Sequence, residues 1–128
     1  MPDTSPIILW FRRDLRLADH PALTAAVETG RPIIPVFIND EIVTQQGAAP
    51  RFRLGLSVAA FGKQLSDIGS RLILRRGDAL AVLRQLISET GATDVFWSRA
   101  YDPVCKERDT VLKAALKDDG VGCSSYKG

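Results

Sequence analysis

This sequence offers little that could hold a metal ion or a disulfide framework. Histidine occurs once, at His20, and cysteine twice, at Cys105 and Cys123. The cysteines form no CxxC pair and His20 is far from both, so no zinc site is expected. Two unpaired thiols without a secretion signal predict a reducing, cytoplasmic setting. The opening Met1-Pro2-Asp3-Thr4-Ser5-Pro6 lacks the basic and apolar segments of such a signal. No apolar run approaches the ~20 residues needed to cross a membrane. Charge of one sign is also scarce. The net charge of +2 is too small to argue for nucleic-acid binding by this chain alone.

Several familiar motifs are missing as well. No GxGxxG follows the first strand candidate, which removes the dinucleotide fingerprint. Gly55 and Gly62-Lys63 are spaced too widely for a phosphate loop and lie inside a helical pattern. No GxSxG nucleophile elbow occurs.

What is present is the mix of an ordinary globular domain, 45% apolar and 25% charged, at a length that suits one domain. Ile7-Ile8-Leu9-Trp10-Phe11 is continuous rather than alternating, as in a strand buried on both faces. Pro21 suits the first turn of a helix capped by Asp19 or His20, which carries Leu23, Ala26 and Val27 and stops near Gly30. Residues 33–38 form a second strand candidate, weakened by Pro32 and Pro35. A polar loop over residues 39–49 follows. Pro50 opens the longest helix, whose Leu54, Val58, Phe61, Leu65 and Ile68 make one apolar stripe ending at Gly69.

Residues 72–74 are the third strand candidate. Asp78 caps a helix carrying Leu80, Leu83, Leu86 and Ile87, ended by Gly91. Residues 95–97 form the fourth strand. A last helix over residues 104–117 carries Val111, Leu112, Ala115 and Leu116, and residues 123–126 start a fifth strand. Strictly alternating strands and helices imply right-handed crossovers. The expected fold is α/β, a five-stranded parallel sheet in a three-layer, Rossmann-like α/β/α sandwich. Ligands of such folds sit beyond the carboxyl ends of the strands, where the strand order reverses. Those ends are Phe11-Arg12-Arg13, Ile38-Asn39-Asp40, Arg76-Gly77-Asp78 and Ser98-Arg99-Ala100. Trp10 and Trp97 lie in buried strands and read as core. Cys105 sits in a helix first turn, where a thiol pKa can fall, yet an inert thiol is expected.

The most informative stretch runs from Leu9 to Leu23: a buried strand empties into a loop of three arginines and two aspartates, then a proline-started helix. Such a cluster clamps an anion, ties down a second domain or forms surface ion pairs. Its pattern, W-F-R-R-D-L-R-L-x-D-x-x-A-L, resembles the opening signature of the photolyase–cryptochrome family. Three further segments resemble that family in order: Ala49-Pro50-Arg51, residues 70–78 ending in Gly77-Asp78, and Tyr101-Asp102-Pro103 with Glu107-Arg108-Asp109.

The resemblance implies an N-terminal antenna domain, spanning residues 1–128, of a light-dependent repair enzyme, a deoxyribodipyrimidine photolyase. In that family a helical C-terminal domain, absent from this chain, binds FAD. Reduced FAD passes an electron to a cyclobutane pyrimidine dimer in UV-damaged DNA, and the dimer splits. The fragment alone is not expected to be catalytic. Residues 123–128 resemble the strand before the interdomain linker. The implied partners are that C-terminal domain and damaged DNA, with weak self-association of the fragment where apolar surface is uncovered. The implied antenna is a deazaflavin, a second flavin or a methenyl-folate. Folate-binding relatives carry Asn-Glu where this chain has Val104 and Cys105, and neither side chain supplies the carboxylate. For a flavin-type antenna the candidate contacts are Phe11, Arg12, Phe37, Asn39, Arg51, Leu54, Ala100 and Asp102, with Arg12 and Arg51 available to phosphate or carboxylate. His20 is expected to cap or pack against the first helix. Asp14 and Arg16 are expected to stabilise their loop or an interdomain contact. The alternatives are the same domain of a cryptochrome blue-light receptor and an unrelated nucleotide-binding α/β domain.

Overall fold

A computed structural model describes residues 5–12, 14–44, 47–100 and 102–127. Five parallel strands stand in the order β3-β2-β1-β4-β5: β1 (Ile7–Phe11), β2 (Ile33–Asn39), β3 (Ile73–Arg76), β4 (Asp94–Ser98) and β5 (Gly122–Tyr126). Helices α1 (Pro21–Glu28) and α3 (Ala48–Asp67) cover one face, and α4 (Ala79–Thr90) and α5 (Pro103–Asp118) the other. The chain first builds outward from β1 to β3, then crosses to β4 on β1's free side. With right-handed crossovers, that reversal moves the helices to the opposite layer.

Strand β1 is the centre of the sheet, and all five of its residues are buried. Ile8 and Trp10 point to the α4/α5 layer, while Ile7, Leu9 and Phe11 point to the α1/α3 layer. That two-sided burial is why β1 reads as an unbroken apolar run. Trp10 meets Trp97 of β4 edge-on, with ring centroids 5.8 Å apart, so both tryptophans are core residues.

Pro35 is tolerated in β2 for a geometric reason. Ile7 N–H donates to the Pro32 carbonyl and Gly77 N–H to the Asn39 carbonyl, so position 35 turns its backbone toward β3. Pairing with β3 begins only at Val36↔Ile73. The missing donor therefore faces no strand.

Three expectations need correction. The presumed loop after β2 contains a short helix, α2 (Glu41–Thr44), started by Asp40, whose Oδ1 accepts from Ile42 and Val43 N–H at 3.0 Å. Helix α3 starts at Ala48, ahead of Pro50, and its apolar stripe is shorter than predicted. Phe61 and Leu65 are buried, Leu54 and Val58 half-buried, but Ile68 is the C-cap and is 66% exposed. On α5, Leu112 and Leu116 face the core while Val111 is exposed. Elsewhere the boundaries shift by a residue or two; β3 occupies Ile73–Arg76. The Gly91 stop has φ 74°, a left-handed C-cap that suits a residue without Cβ.

Candidate functional site

The strand order reverses between β1 and β4, and a cavity of about 300 Å³ opens beyond their carboxyl ends. That position and size suit a small-molecule site of an open α/β sheet. Phe37, Ile38, Ile42, Val43 and Leu54 supply its apolar wall, and Arg12, Asp14, Asp40, Asp102 and Arg108 its charged edge.

The loop after β1 is built around Asp14. Its Oδ1 accepts from the Arg12 backbone N–H at 2.8 Å, and its Oδ2 lies 2.6 Å from His20 Nε2. The His20 ring is buried, and its Nδ1 accepts from Leu23 N–H at 3.1 Å, capping α1. Nδ1 is thus an acceptor, which leaves the ring proton on Nε2, facing Asp14. Burial pushes the Asp14 carboxyl up, but bonds from His20, the Arg12 N–H and Ser98 outweigh it and bring the pKa down to about 2. One turn on, Asp19 takes φ 52°, and Arg16 holds its carbonyl with Nε and Nη2 at 3.2 and 3.0 Å. Asp14 and Arg16 do stabilise this loop, as predicted.

Beneath the cavity runs an ion network that joins four elements. Arg12 Nη1 reaches Asp109 Oδ2 on α5 at 2.6 Å, and its Nη2 donates to the Ser98 carbonyl at the end of β4. Arg108 Nε reaches Asp109 Oδ1 at 2.9 Å, while its Nη1 reaches Asp40 Oδ2 at 2.8 Å and Glu41 Oε1 at 3.1 Å. Asp40 is only 4% exposed, so its charge requires this partner. Both guanidinium groups stand 5.0 Å from the centre of the Trp10 ring, which adds a cation–π attraction to each.

Of the eight candidate contacts, Arg12, Phe37, Leu54, Ala100 and Asp102 line the cavity. Three do not. Phe11 turns into the core, edge-on to Phe61 and His20. Asn39 is half-buried at the end of β2, with its carbonyl bonded to Gly77 N–H. Arg51 is exposed in the first turn of α3. Arg13 and Tyr101 lie outside the described residues. Arg12 is not free for an anion, as the sequence suggested, because Asp109 already holds it.

Sequence reasoning missed Arg108 and Asp109 as parts of the site. A signal existed: they fall one turn before Leu112 and Leu116, in the inward stripe of α5, where a charged pair is out of place. Cys105 also lines the cavity. Its thiol pKa is raised by burial and by the Asp102 charge, in keeping with an inert thiol. Among the described residues, no three His, Cys, Asp or Glu side chains converge as metal ligands, and no helix is long and apolar enough to cross a membrane.

The family model for DNA photolyase matches residues 7–128. The chain belongs to the DNA photolyase family. It is 49% identical over 125 residues to a deoxyribodipyrimidine photo-lyase of Agrobacterium fabrum, covering 98% of this chain and 26% of that protein. It is 38% identical to cryptochrome-2 of Arabidopsis thaliana, covering 94% and 20%. Its fold superposes with a TM-score of 0.91 on a bacterial class III photolyase from Agrobacterium tumefaciens, at 47% identity, covering 98% of this chain and 26% of that one. An archaeal photolyase from Sulfolobus tokodaii, solved with two FAD molecules, gives 0.81 at 27% identity, covering 95% and 29%. The chain therefore spans about a quarter of the length of these photolyases.

Proposed function

We propose that this chain is the N-terminal antenna domain of a light-dependent DNA-repair lyase acting on cyclobutane pyrimidine dimers, and that the cavity between β1 and β4 holds its light-harvesting chromophore. The observation that carries this is the cavity itself, an apolar chamber at the reversal of the strand order with fixed polar groups around its edge. A flat heterocycle fits the chemistry of the walls: Phe37, Ile42, Val43 and Leu54 cover its faces, and the Asp14 carboxylate accepts from a ring N–H or O–H. When bound, such a group absorbs near-ultraviolet and blue light and passes the excitation on. The protein's part is to orient it, exclude water and leave one edge open.

The catalytic flavin, FAD, belongs in this proposal to a C-terminal domain outside the chain, which also makes the contact with UV-damaged DNA. A deazaflavin or flavin suits the cavity better than a methenyl-folate, because Val104 and Cys105 bring no carboxylate. The free thiols fit a reducing cytoplasm. The higher identity to a photolyase than to a cryptochrome favours repair over signalling.

The test is the absorption spectrum of the full-length protein before and after denaturation. Release of a flavin together with a second chromophore is the expected result; absence of any flavin overturns the proposal. A light-dependent dimer-splitting assay then separates photolyase from cryptochrome.

A further inference from the structure

Helix α4 turns a polar side outward: Arg84, Gln85, Ser88 and Glu89 face solvent. Helix α3 does not. Phe61 and Leu65 bury its inner side, yet the opposite side is apolar too. Ala49, Phe52, Leu56, Ala59 and Lys63 follow one another there at steps of three and four, and all five are exposed. A helix that is apolar on two opposite sides belongs between two layers. The sheet supplies only one of them.

The charges of α3 say what the second layer is. Its N-cap is Gly47, which brings no side-chain cap, and its first turn holds no acid. Arg51 and Arg53 crowd that positive end instead, while the negative end carries Asp67 and no base in its last turn. Each of these charges opposes the helix's own dipole. Among the described residues, Arg51, Arg53, Lys63 and Asp67 make no ion pair within the chain. An antiparallel neighbour of the same sequence corrects the mismatch at both ends, because each basic start then meets an acidic end. A parallel neighbour would set Arg53 beside Arg53 and one positive helix end beside the other.

We propose that α3 pairs with α3 of a second copy of this chain, antiparallel about a two-fold axis. With the axis between Leu56 and Ala59, each Leu56 packs on the partner's Ala59, large against small. Each Phe52 ring then lies against the stem and ammonium of the partner's Lys63. Arg53 and the partner's Asp67 share one flank, and the symmetry makes that pair twice. A single pair of helices is a small interface, so the association is reversible. The dimer does not depend on what the cavity beyond β1 and β4 holds.

Sedimentation equilibrium of the full-length protein tests this, and a concentration-dependent dimer is expected. Arg53→Asp and Asp67→Arg each place a charge that suits the dipole of α3, so neither should lower the urea midpoint of the monomer. Each nonetheless turns both flank pairs repulsive in the dimer, and each is expected to weaken association about tenfold at low salt. In an equimolar mixture of the two variants both flank pairs are attractive again, and association should return to that of the unsubstituted protein. A monomer at every concentration overturns the proposal. So does a dimer whose strength neither substitution changes, because its interface then lies elsewhere. Weakening in both variants without recovery in the mixture overturns the antiparallel pairing.

Discussion

Arg12 and Asp109 lie 97 positions apart in sequence and 2.6 Å apart in space. The pair ties the end of the central strand to the second turn of α5, and it holds the floor of the cavity at the point where the sheet changes direction. Both side chains are nearly buried, at 15% and 12% exposure, so losing one partner leaves a charge without compensation. Asp109→Asn is expected to lower stability by about 2 kcal/mol, read as a lower urea midpoint at unchanged slope. A change within a few tenths of a kcal/mol would show that the pair is a weak surface contact.

The Asp14 carboxyl sets an acid limit. Its pKa is about 2 in the folded chain against an ordinary 3.8. Between those values the unfolded chain binds more protons, so falling pH favours unfolding. The stabilisation is complete above 3.8 and is lost as pH drops toward 2. It amounts to about 2 kcal/mol. Asp14→Asn should therefore show a flatter dependence of urea midpoint on pH across that window. A slope equal to that of the unsubstituted protein would contradict it.

His20 joins two tasks, capping α1 with Nδ1 and facing Asp14 with Nε2. His20→Ala removes both, for a loss of about 2 kcal/mol. His20→Asn keeps a cap acceptor and should recover part of it. Equal stability of the two variants would mean that the cap contributes nothing.

Cys105 is held as a thiol by burial and by Asp102. At neutral pH it should react with a disulfide reagent more slowly than a free thiol, and Asp102→Asn should speed it. Unchanged kinetics in that variant would remove Asp102 as a cause.

Phe52 and Leu56 stand one turn apart on α3, 69% and 58% exposed. They make an apolar stripe on the chain's least buried helix, and weak self-association is expected at high concentration. Sedimentation velocity should show reversible association that Phe52→Ser reduces. A strictly monomeric profile would contradict it.

The alternation of strands and helices, the Asp78 and Gly91 caps and the cavity at the reversal of the strand order were all legible, because each follows from local chemistry or from topology that crossover handedness dictates. Ile68 was misjudged because periodicity continues past a helix end that tertiary packing decides. Arg12 was misjudged more instructively. A short loop rich in arginine shows which cations are near a strand end, but not that Asp109, almost a hundred residues later, will neutralise one of them. Phe11 was misplaced because its ring, on the same face as Phe37 and Leu54, packs instead against Phe61 and His20, which sequence spacing does not reveal.

The central claim is that the cavity beyond β1 and β4 holds a light-harvesting chromophore, and filling the cavity tests it most directly. Leu54→Trp, introduced into the full-length protein, should leave the flavin absorption intact and remove the second chromophore released on denaturation. If the variant still carries both chromophores in the proportions of the unsubstituted protein, the cavity is not the antenna site.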